Sequence, residues 1–163
     1  MSSIRHREHI VEAASRAARH ALALLLLTSV HHVYGAILYQ TPWRYHAVLF
    51  SVAAALVMLG ALALLRSRAE APLGRGAWWA LVLTILVTVL MIGAFEGGYN
   101  HLVKNVVYFA GAPADWMSVL FPPPRYEVPN DILFEVTGIL QVVPAVTAAG
   151  LLYRAVAPGY AAV

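Results

Sequence analysis

Long apolar runs separated by short polar segments are the main pattern in this chain of 163 residues. Four runs reach or approach the roughly 20 residues that a helix needs to cross a bilayer, at about 18–39, 46–65, 77–98 and 131–156. Their length and near-continuous hydrophobicity predict transmembrane helices. We therefore expect an all-α fold, a polytopic membrane four-helix bundle with four transmembrane spans, in a single domain over residues 1–163.

Two further segments have the pattern of amphipathic helices. The polar and basic segment 1–20 predicts a helix that lies on the inner membrane surface before the first span. The segment 101–109 follows the third span, and there His101, Lys104 and Asn105 share one helical face. We expect this second segment to lie along the outer interface.

A Pro-rich outer loop over residues 111–130 connects the third and fourth spans. Its triple proline predicts a rigid, extended stretch. We expect the loop to fold Trp116 and Phe121 over the mouth of the bundle. Asn130 is the predicted N-cap of the fourth span, and Pro144 predicts a kink within it.

The composition agrees with a membrane protein and excludes several classes of function. The chain is 61% hydrophobic and 12% charged, with a mean hydropathy of +0.71, whereas a soluble domain carries about 25% charged residues. The absence of cysteine excludes disulfides and thiolate metal sites. The sequence pI of about 9.4 arises from arginines beside apolar runs, which membrane topology explains, so we expect no nucleic-acid partner.

The distribution of positive residues predicts the orientation of the chain. Most arginines fall before the first span, in the 66–76 loop or at the end of the fourth span, whereas the outer segments carry only Arg44, Lys104 and Arg125. The positive-inside rule then places both termini and the 66–76 loop in the cytoplasm. We expect the protein to lie in a bacterial inner (plasma) membrane.

Histidines and carboxylates gather towards the outer end of the bundle, while the inner half is almost purely Leu, Ala and Val. Ionisable residues in or beside a span are costly to hold there and mark functional sites. Glu96, at the end of the third apolar run, is the first candidate. The candidate ligands of a transition metal ion (iron, copper or zinc) are His31, His32, His46, Glu96, His101 and Glu135.

Structural interpretations compete for several of these residues. Neighbouring residues of a helix point about 100° apart, so we expect only one of His31 and His32 to face the bundle interior. His46 opens its helix and is typical of an interfacial residue in contact with water. Glu127 is interpreted as a loop-fixing charge, and Asp131 as a residue that favours the helix N-terminus.

Glu96 and Glu135 also have a structural interpretation, as members of ion pairs with Lys104 or Arg44. The histidines and carboxylates lack the fixed spacing of known metal motifs such as H-E-x-x-H. The metal hypothesis therefore depends on topology and on residue types.

Four functions fit this pattern, and whether the protein is an enzyme stays open. The first is a metal site for metal handling or metal-dependent chemistry. The second is an accessory subunit of a larger membrane complex, with a membrane-protein partner or a homo-oligomer beside the lipid bilayer. The third is a b-type haem electron carrier, with His31 or His32 paired with His101 or His46. The fourth is a metal-free enzyme that uses a Glu/His acid–base pair on a lipid-like substrate.

Overall fold

Helices alone build the part of the chain that the computed structural model describes, residues 2–67, 71–123 and 126–157, with no strand among them. The elements are α1 (Ser2–Leu38), a 3-10 turn (Pro42–Tyr45), α2 (His46–Arg66), α3 (Ala71–Thr88), a π-helix (Val89–Val103), α4 (Lys104–Phe109), α5 (Ala114–Leu120), α6 (Ile132–Leu140) and α7 (Val142–Val156).

Four helical stretches are long and apolar enough to cross a membrane, which confirms the all-α prediction with four spans. They are Ile10–Leu38, Pro42–Arg66, Pro72–Phe109 and Ile132–Val156. Each stretch runs antiparallel to the next. Large apolar side chains such as Leu49 and Ile132 are exposed on the outside of the bundle, as a lipid-facing surface requires.

Helix α1 packs against α2, α3 and α7 and forms the centre of the bundle. Its buried face is built from small residues, Ala14, Ala17, Ala18 and Ala21, each with no exposed surface. Small side chains let neighbouring helices approach closely. The prediction of a separate surface helix over residues 1–20 is therefore wrong from Ala14 onward, because this stretch continues into the first span and lies in the core.

The third span is longer than predicted. The helix does not end at residue 98, since α3, the π-helix and α4 follow one another without a break from Ala71 to Phe109. The segment 101–109 is consequently not a separate interfacial helix, and Lys104 is only 2% exposed. Burial of its ammonium group is tolerable because a carboxylate of α6 lies against it.

The N-cap of the fourth span lies one residue after the predicted position, and the span is interrupted three residues before Pro144. Asp131 is the N-cap of α6, since its carboxylate accepts a hydrogen bond from the backbone N–H of Phe134 at 2.8 Å. Asn130, the predicted cap, instead accepts from the Tyr39 hydroxyl at 2.6 Å. The helix is interrupted at Gln141, because Pro144 has no N–H to continue the hydrogen-bond ladder.

The outer loop covers the end of the bundle in a different way from the one predicted. Trp116 lies on α5 and is 63% exposed, so it does not cover the mouth. Phe121 is buried, and Tyr126 and Glu127 line the cavity described below. The end of the triple proline, Pro124, and the following Arg125 lie outside the described residues.

Candidate metal centre

The π-helix brings Glu96 and His101 to the same side of the third span. In an α-helix, residues five positions apart point about 140° away from each other. A π-helix bonds residue i to residue i+5 and has wider turns, which aligns such a pair more closely. Nε2 of His101 lies 3.6 Å from Oε1 of Glu96, and Asn100 donates from Nδ2 to Oε2 of the same carboxylate at 2.6 Å.

Helix α1 contributes both of its adjacent histidines to the same carboxylate oxygen. Nε2 of His31 lies 3.8 Å from Oε1 of Glu96, and Nε2 of His32 lies 3.5 Å from it. Their ring planes differ by 76°, so the two side chains approach this oxygen from different directions. The expectation that only one of the two histidines faces the interior is therefore wrong.

The second nitrogen of each α1 histidine is held by an oxygen atom. Nδ1 of His32 lies 3.0 Å from the backbone carbonyl of Thr28, which can only accept a hydrogen bond. Nδ1 of His31 lies 3.0 Å from the Thr137 hydroxyl, whose own hydrogen is directed to the Leu133 carbonyl at 2.7 Å. Both Nδ1 atoms consequently carry the hydrogen, and in the neutral rings both Nε2 atoms present lone pairs.

His101 is oriented by a buried carboxylate on α6. Its Nδ1 lies 2.8 Å from Oε2 of Glu135, and Lys104 donates to the other oxygen of Glu135 at 2.8 Å. Asn105 also donates to this carboxylate, and Lys104 reaches the backbone carbonyl of Glu127 at 2.8 Å. Glu135 therefore acts as the partner of His101 and Lys104 and does not lie at the shared point near Glu96.

Three residues bring potential ligand atoms into one small volume. The ligand atoms of His31, Glu96 and His101 all lie within 4.8 Å of one another. Nε2 of His32 lies 3.5 Å from the same oxygen of Glu96 and flanks this group. Imidazole and carboxylate groups are ligands of zinc, iron and copper, so the cluster could hold a transition metal ion.

Close packing holds the histidine rings in place. The Phe134 ring is stacked on His31 with ring centroids 4.2 Å apart. Gly138 lies directly against His101, and a Cβ atom built on this glycine would be 2.2 Å from Cγ of the ring. Helix α6 can approach the π-helix this closely only because position 138 has no side chain.

His46 lies outside this convergence. Its ring is exposed, its centroid is 6.5 Å from that of His32, and its Nδ1 bonds the backbone carbonyl of Trp43. It occupies the mouth of a cavity of about 490 Å³ whose walls include His32, Glu96 and His101. The cavity therefore gives access to the cluster from the end of the bundle where α1 ends and α2 begins.

Arg44 is a site residue whose burial was not predicted from the sequence. Its side chain is 4% exposed and lines the cavity, with one terminal nitrogen 3.7 Å from Oε1 of Glu127. Glu127, interpreted as a loop-fixing charge, thus faces a buried guanidinium at ion-pair distance. The aromatic residues around Arg44 were visible in the sequence, but only the fold shows that they surround it.

Gln141 was also overlooked, although a polar residue within an apolar run is a signal in itself. It has no exposed surface, and neither of its side-chain polar atoms has a hydrogen-bond partner among the residues that the structure describes. It contacts Gly97 of the π-helix at the break between α6 and α7. The interruption of the fourth span is therefore accompanied by a buried, unpaired amide.

Tyr39 connects the end of α1 to the outer loop through its bond to Asn130. Burial, with the nearby carboxylates of Glu135, Asp131 and Glu127, raises the pKa of its phenol to about 12. The hydroxyl therefore stays protonated and continues to donate under physiological conditions.

No family model, no curated protein and no solved structure matches this chain. Its class is accordingly given by its own fold and site. The chain is a membrane-like helical protein with a buried histidine–glutamate cluster that could hold a metal ion.

Proposed function

We propose that this protein binds one transition metal ion within the membrane, with Nε2 of His31, His32 and His101 and a carboxylate oxygen of Glu96 as the ligands. The supporting observation is that three Nε2 atoms lie 3.8, 3.5 and 3.6 Å from one oxygen of Glu96. Imidazole and carboxylate ligands of this kind suit zinc, iron and copper.

Electrostatics favours a cation at this point. If the three rings are neutral, their Nδ1 contacts leave three Nε2 lone pairs facing a carboxylate oxygen, and these groups repel. Among the described residues, the groups within ion-pair distance of Glu96 are the three histidines, with no lysine or arginine. A buried carboxylate needs a compensating positive charge, and a metal ion supplies it without changing the tautomers.

The contacts behind the ligands are those of metal-binding histidines. Metal-ligating histidines usually donate their second N–H to a carboxylate, a carbonyl or another oxygen, which fixes the ring and its tautomer. Here the partners are Glu135 for His101, the Thr28 carbonyl for His32 and Thr137 for His31.

The adjoining cavity favours metal-dependent chemistry over metal storage. A site that only holds an ion has no need of a space of about 490 Å³ beside its ligands. A catalytic metal keeps one position open for water or substrate, and it activates that water or polarises the substrate. Glu96, His32 and His101 line both the cluster and the cavity, so an open position would face this space.

The same geometry supports a metal-free Glu/His acid–base pair as the second candidate. In that case protonated imidazoles, in place of a metal ion, would compensate Glu96. We do not propose a haem between His31 and His101, because their ring centroids are 4.7 Å apart and leave no space for a macrocycle.

Element-resolved metal analysis of detergent-purified protein tests the proposal. We expect close to one transition metal ion per chain in the wild type and a large loss in the His31→Ala/His32→Ala/His101→Ala variant. His20→Ala is the matched control, because His20 is an exposed histidine on the same helix, away from the cluster. Equal, negligible metal in the wild type and the triple variant would exclude the metal site.

We also propose that both termini face the cytoplasm, which the distribution of arginines supports. The absence of cysteine makes this easy to test, since single cysteines introduced at the exposed Ser67 and Ser118 can be labelled individually. An impermeant thiol reagent added to intact cells should label the cysteine at 118 but not that at 67. Labelling of 67 alone would reverse the orientation.

A further inference from the structure

The cavity beside the histidine–glutamate cluster carries polar groups that the proposed metal site does not use. Arg44 and Asn100 both line it and are 4% and 8% exposed. One terminal nitrogen of Arg44, Nη2, is buried without a hydrogen-bond partner among the described residues. Buried polar atoms are normally paired, so a ligand that accepts a hydrogen bond from this nitrogen is expected in this space.

The side chain of Arg44 is held in place by its neighbours, while its Nη2 nitrogen has no hydrogen-bond partner among the described residues. Its Nε donates to the Thr41 hydroxyl at 2.8 Å, and its guanidinium lies 4.9 and 5.3 Å from the ring centroids of Trp43 and Phe134. Glu127 is 3.7 Å from Nη2, which is too far for a hydrogen bond. A planar guanidinium with free donors is suited to the oxygens of a carboxylate or phosphate group.

Once a divalent metal ion is bound, one anion would balance the charges around the cavity. Arg44 and Lys104 are positive, and Glu96, Glu127 and Glu135 are negative. These groups sum to a net charge of −1, and a divalent ion at the proposed site therefore makes it +1. An anionic group between the metal ion and Arg44 would restore neutrality.

Two aromatic residues of the cavity wall are also exposed on the outer surface of the bundle. Trp43 and Phe95 both line the cavity, and they are 47% and 45% exposed on the surface of the bundle. Helix α2 packs along α3 rather than along the π-helix, so these elements diverge at this end. Both residues belong to helices that are apolar enough to cross a membrane. An apolar chain could therefore leave the cavity between them.

We propose that this cavity binds a single-tailed amphipathic anion. The carboxylate or phosphate head lies against Arg44, beside the histidine–glutamate cluster, and the apolar tail leaves between Trp43 and Phe95. This inference rests on the proposed metal site, which would place the head group next to the metal ion. The substrates of the proposed metal site would then be lipid-like acids.

Binding measurements on the purified, full-length protein in a non-ionic detergent test this inference, with the metal content determined on the same sample. The probes are dodecanoate and dodecyl phosphate, which differ only in the acidic head. Dodecanol supplies the same tail without charge, and inorganic phosphate supplies a head without a tail. We expect the wild type to bind at least one acidic probe about tenfold or more tightly than either control.

Variants of Arg44 test the head-group contact. Arg44→Gln should weaken binding of the acidic probes by about tenfold or more, and Arg44→Lys, which keeps the charge but not the planar fork, should weaken it less. Arg19→Gln is the matched control, because Arg19 is an exposed arginine far along α1 from the cavity. Size-exclusion profiles and helical content show whether each variant is folded.

The outcomes separate this inference from the metal proposal. Equal binding of dodecanol, equal binding of inorganic phosphate, or unchanged binding by a folded Arg44→Gln would each overturn the amphipathic anion. If Arg44→Gln does not fold, the wild type still tests the inference, because dodecanoate and dodecyl phosphate can be compared with dodecanol. If the wild type contains metal but binds neither acidic probe, the amphipathic-anion inference is refuted and the metal proposal is not. If a metal-free wild type binds an acidic probe and this binding depends on Arg44, the metal proposal is refuted and the amphipathic-anion inference is not.

Discussion

Nδ1 of His101 lies 2.8 Å from Oε2 of Glu135, and this contact decides which nitrogen of the imidazole faces Glu96. Because a carboxylate only accepts, Nδ1 carries the hydrogen, and in the neutral ring Nε2 presents its lone pair towards Glu96, 3.6 Å away. Glu135 thus controls a ligand of the proposed metal without lying at the metal position. Lys104 compensates its charge.

Glu135→Gln should weaken metal binding by about 10–100-fold, because the ring and tautomer of His101 lose their anionic partner. It should also destabilise the protein by about 3–5 kcal/mol, since Lys104 is left buried without its counter-charge. Competition with a chelator measures the affinity, and unfolding in detergent measures the stability. The control is Glu135→Gln/Lys104→Met, which should recover most of the stability but not the affinity. If the metal affinity of Glu135→Gln equals that of the wild type, Glu135 acts only as a structural ion-pair partner of Lys104.

Glu96→Gln should abolish the rise in Tm that added metal produces in the wild type. The metal-free variant should be at least as stable as the metal-free wild type, because its side chain no longer holds a negative charge against three imidazole lone pairs. Thermal unfolding with and without metal tests both points, with Glu12→Gln as the exposed control. A marked loss of stability in metal-free Glu96→Gln would instead favour protonated histidines and the acid–base candidate.

Gly138→Ala should displace His101, because the new Cβ atom would be 2.2–2.4 Å from ring atoms. We expect a loss of about 1–3 kcal/mol from overpacking, together with loss of metal binding. Gly150→Ala is the matched control in the same span, since nothing lies within 4 Å of its added Cβ. That control should stabilise the helix by about 0.5–1 kcal/mol and leave the metal content unchanged. Equal behaviour of the two variants would contradict the close contact of α6 with His101.

Thr137→Val should lower metal affinity about tenfold, because Nδ1 of His31 loses its hydrogen-bond acceptor and Nε2 is no longer fixed as the free nitrogen. Valine has nearly the same shape as threonine, so packing should change little. Thr147→Val removes a hydroxyl that bonds only the Val143 carbonyl in the same span, and its affinity should remain that of the wild type. Chelator competition compares the pair, and equal affinities would show that the tautomer of His31 does not matter.

The number and type of the spans could be predicted because a long apolar run is a local property of the sequence. The position of the N-terminal segment could not, because alanines such as Ala14 and Ala18 fit a membrane surface as well as a tightly packed helix contact. The end of the third helix was placed too early for a related reason. Lys104 and Asn105 were expected in a segment along the outer interface, whereas Glu135, distant in sequence, satisfies both of them within the bundle.

The candidate ligands could be named from the sequence, but their directions could not. The spacing of Glu96 and His101 places them on different faces of a regular α-helix, and only the wider turns of the π-helix bring them together. Likewise, both His31 and His32 reach Glu96 because their rings are nearly perpendicular. Thr137 had no distinguishing signal, since a threonine in a span usually bonds its own helix.

The wide turns between Val89 and Val103 also make the length of this segment part of the site. Removing a single residue there, with the wide turns kept, would rotate everything that follows by roughly a quarter of a turn and carry His101, Lys104 and Asn105 away from α6. A chain that kept every histidine and glutamate but was one residue shorter here would lose the arrangement altogether. In this helix, the count of residues matters as much as their identity.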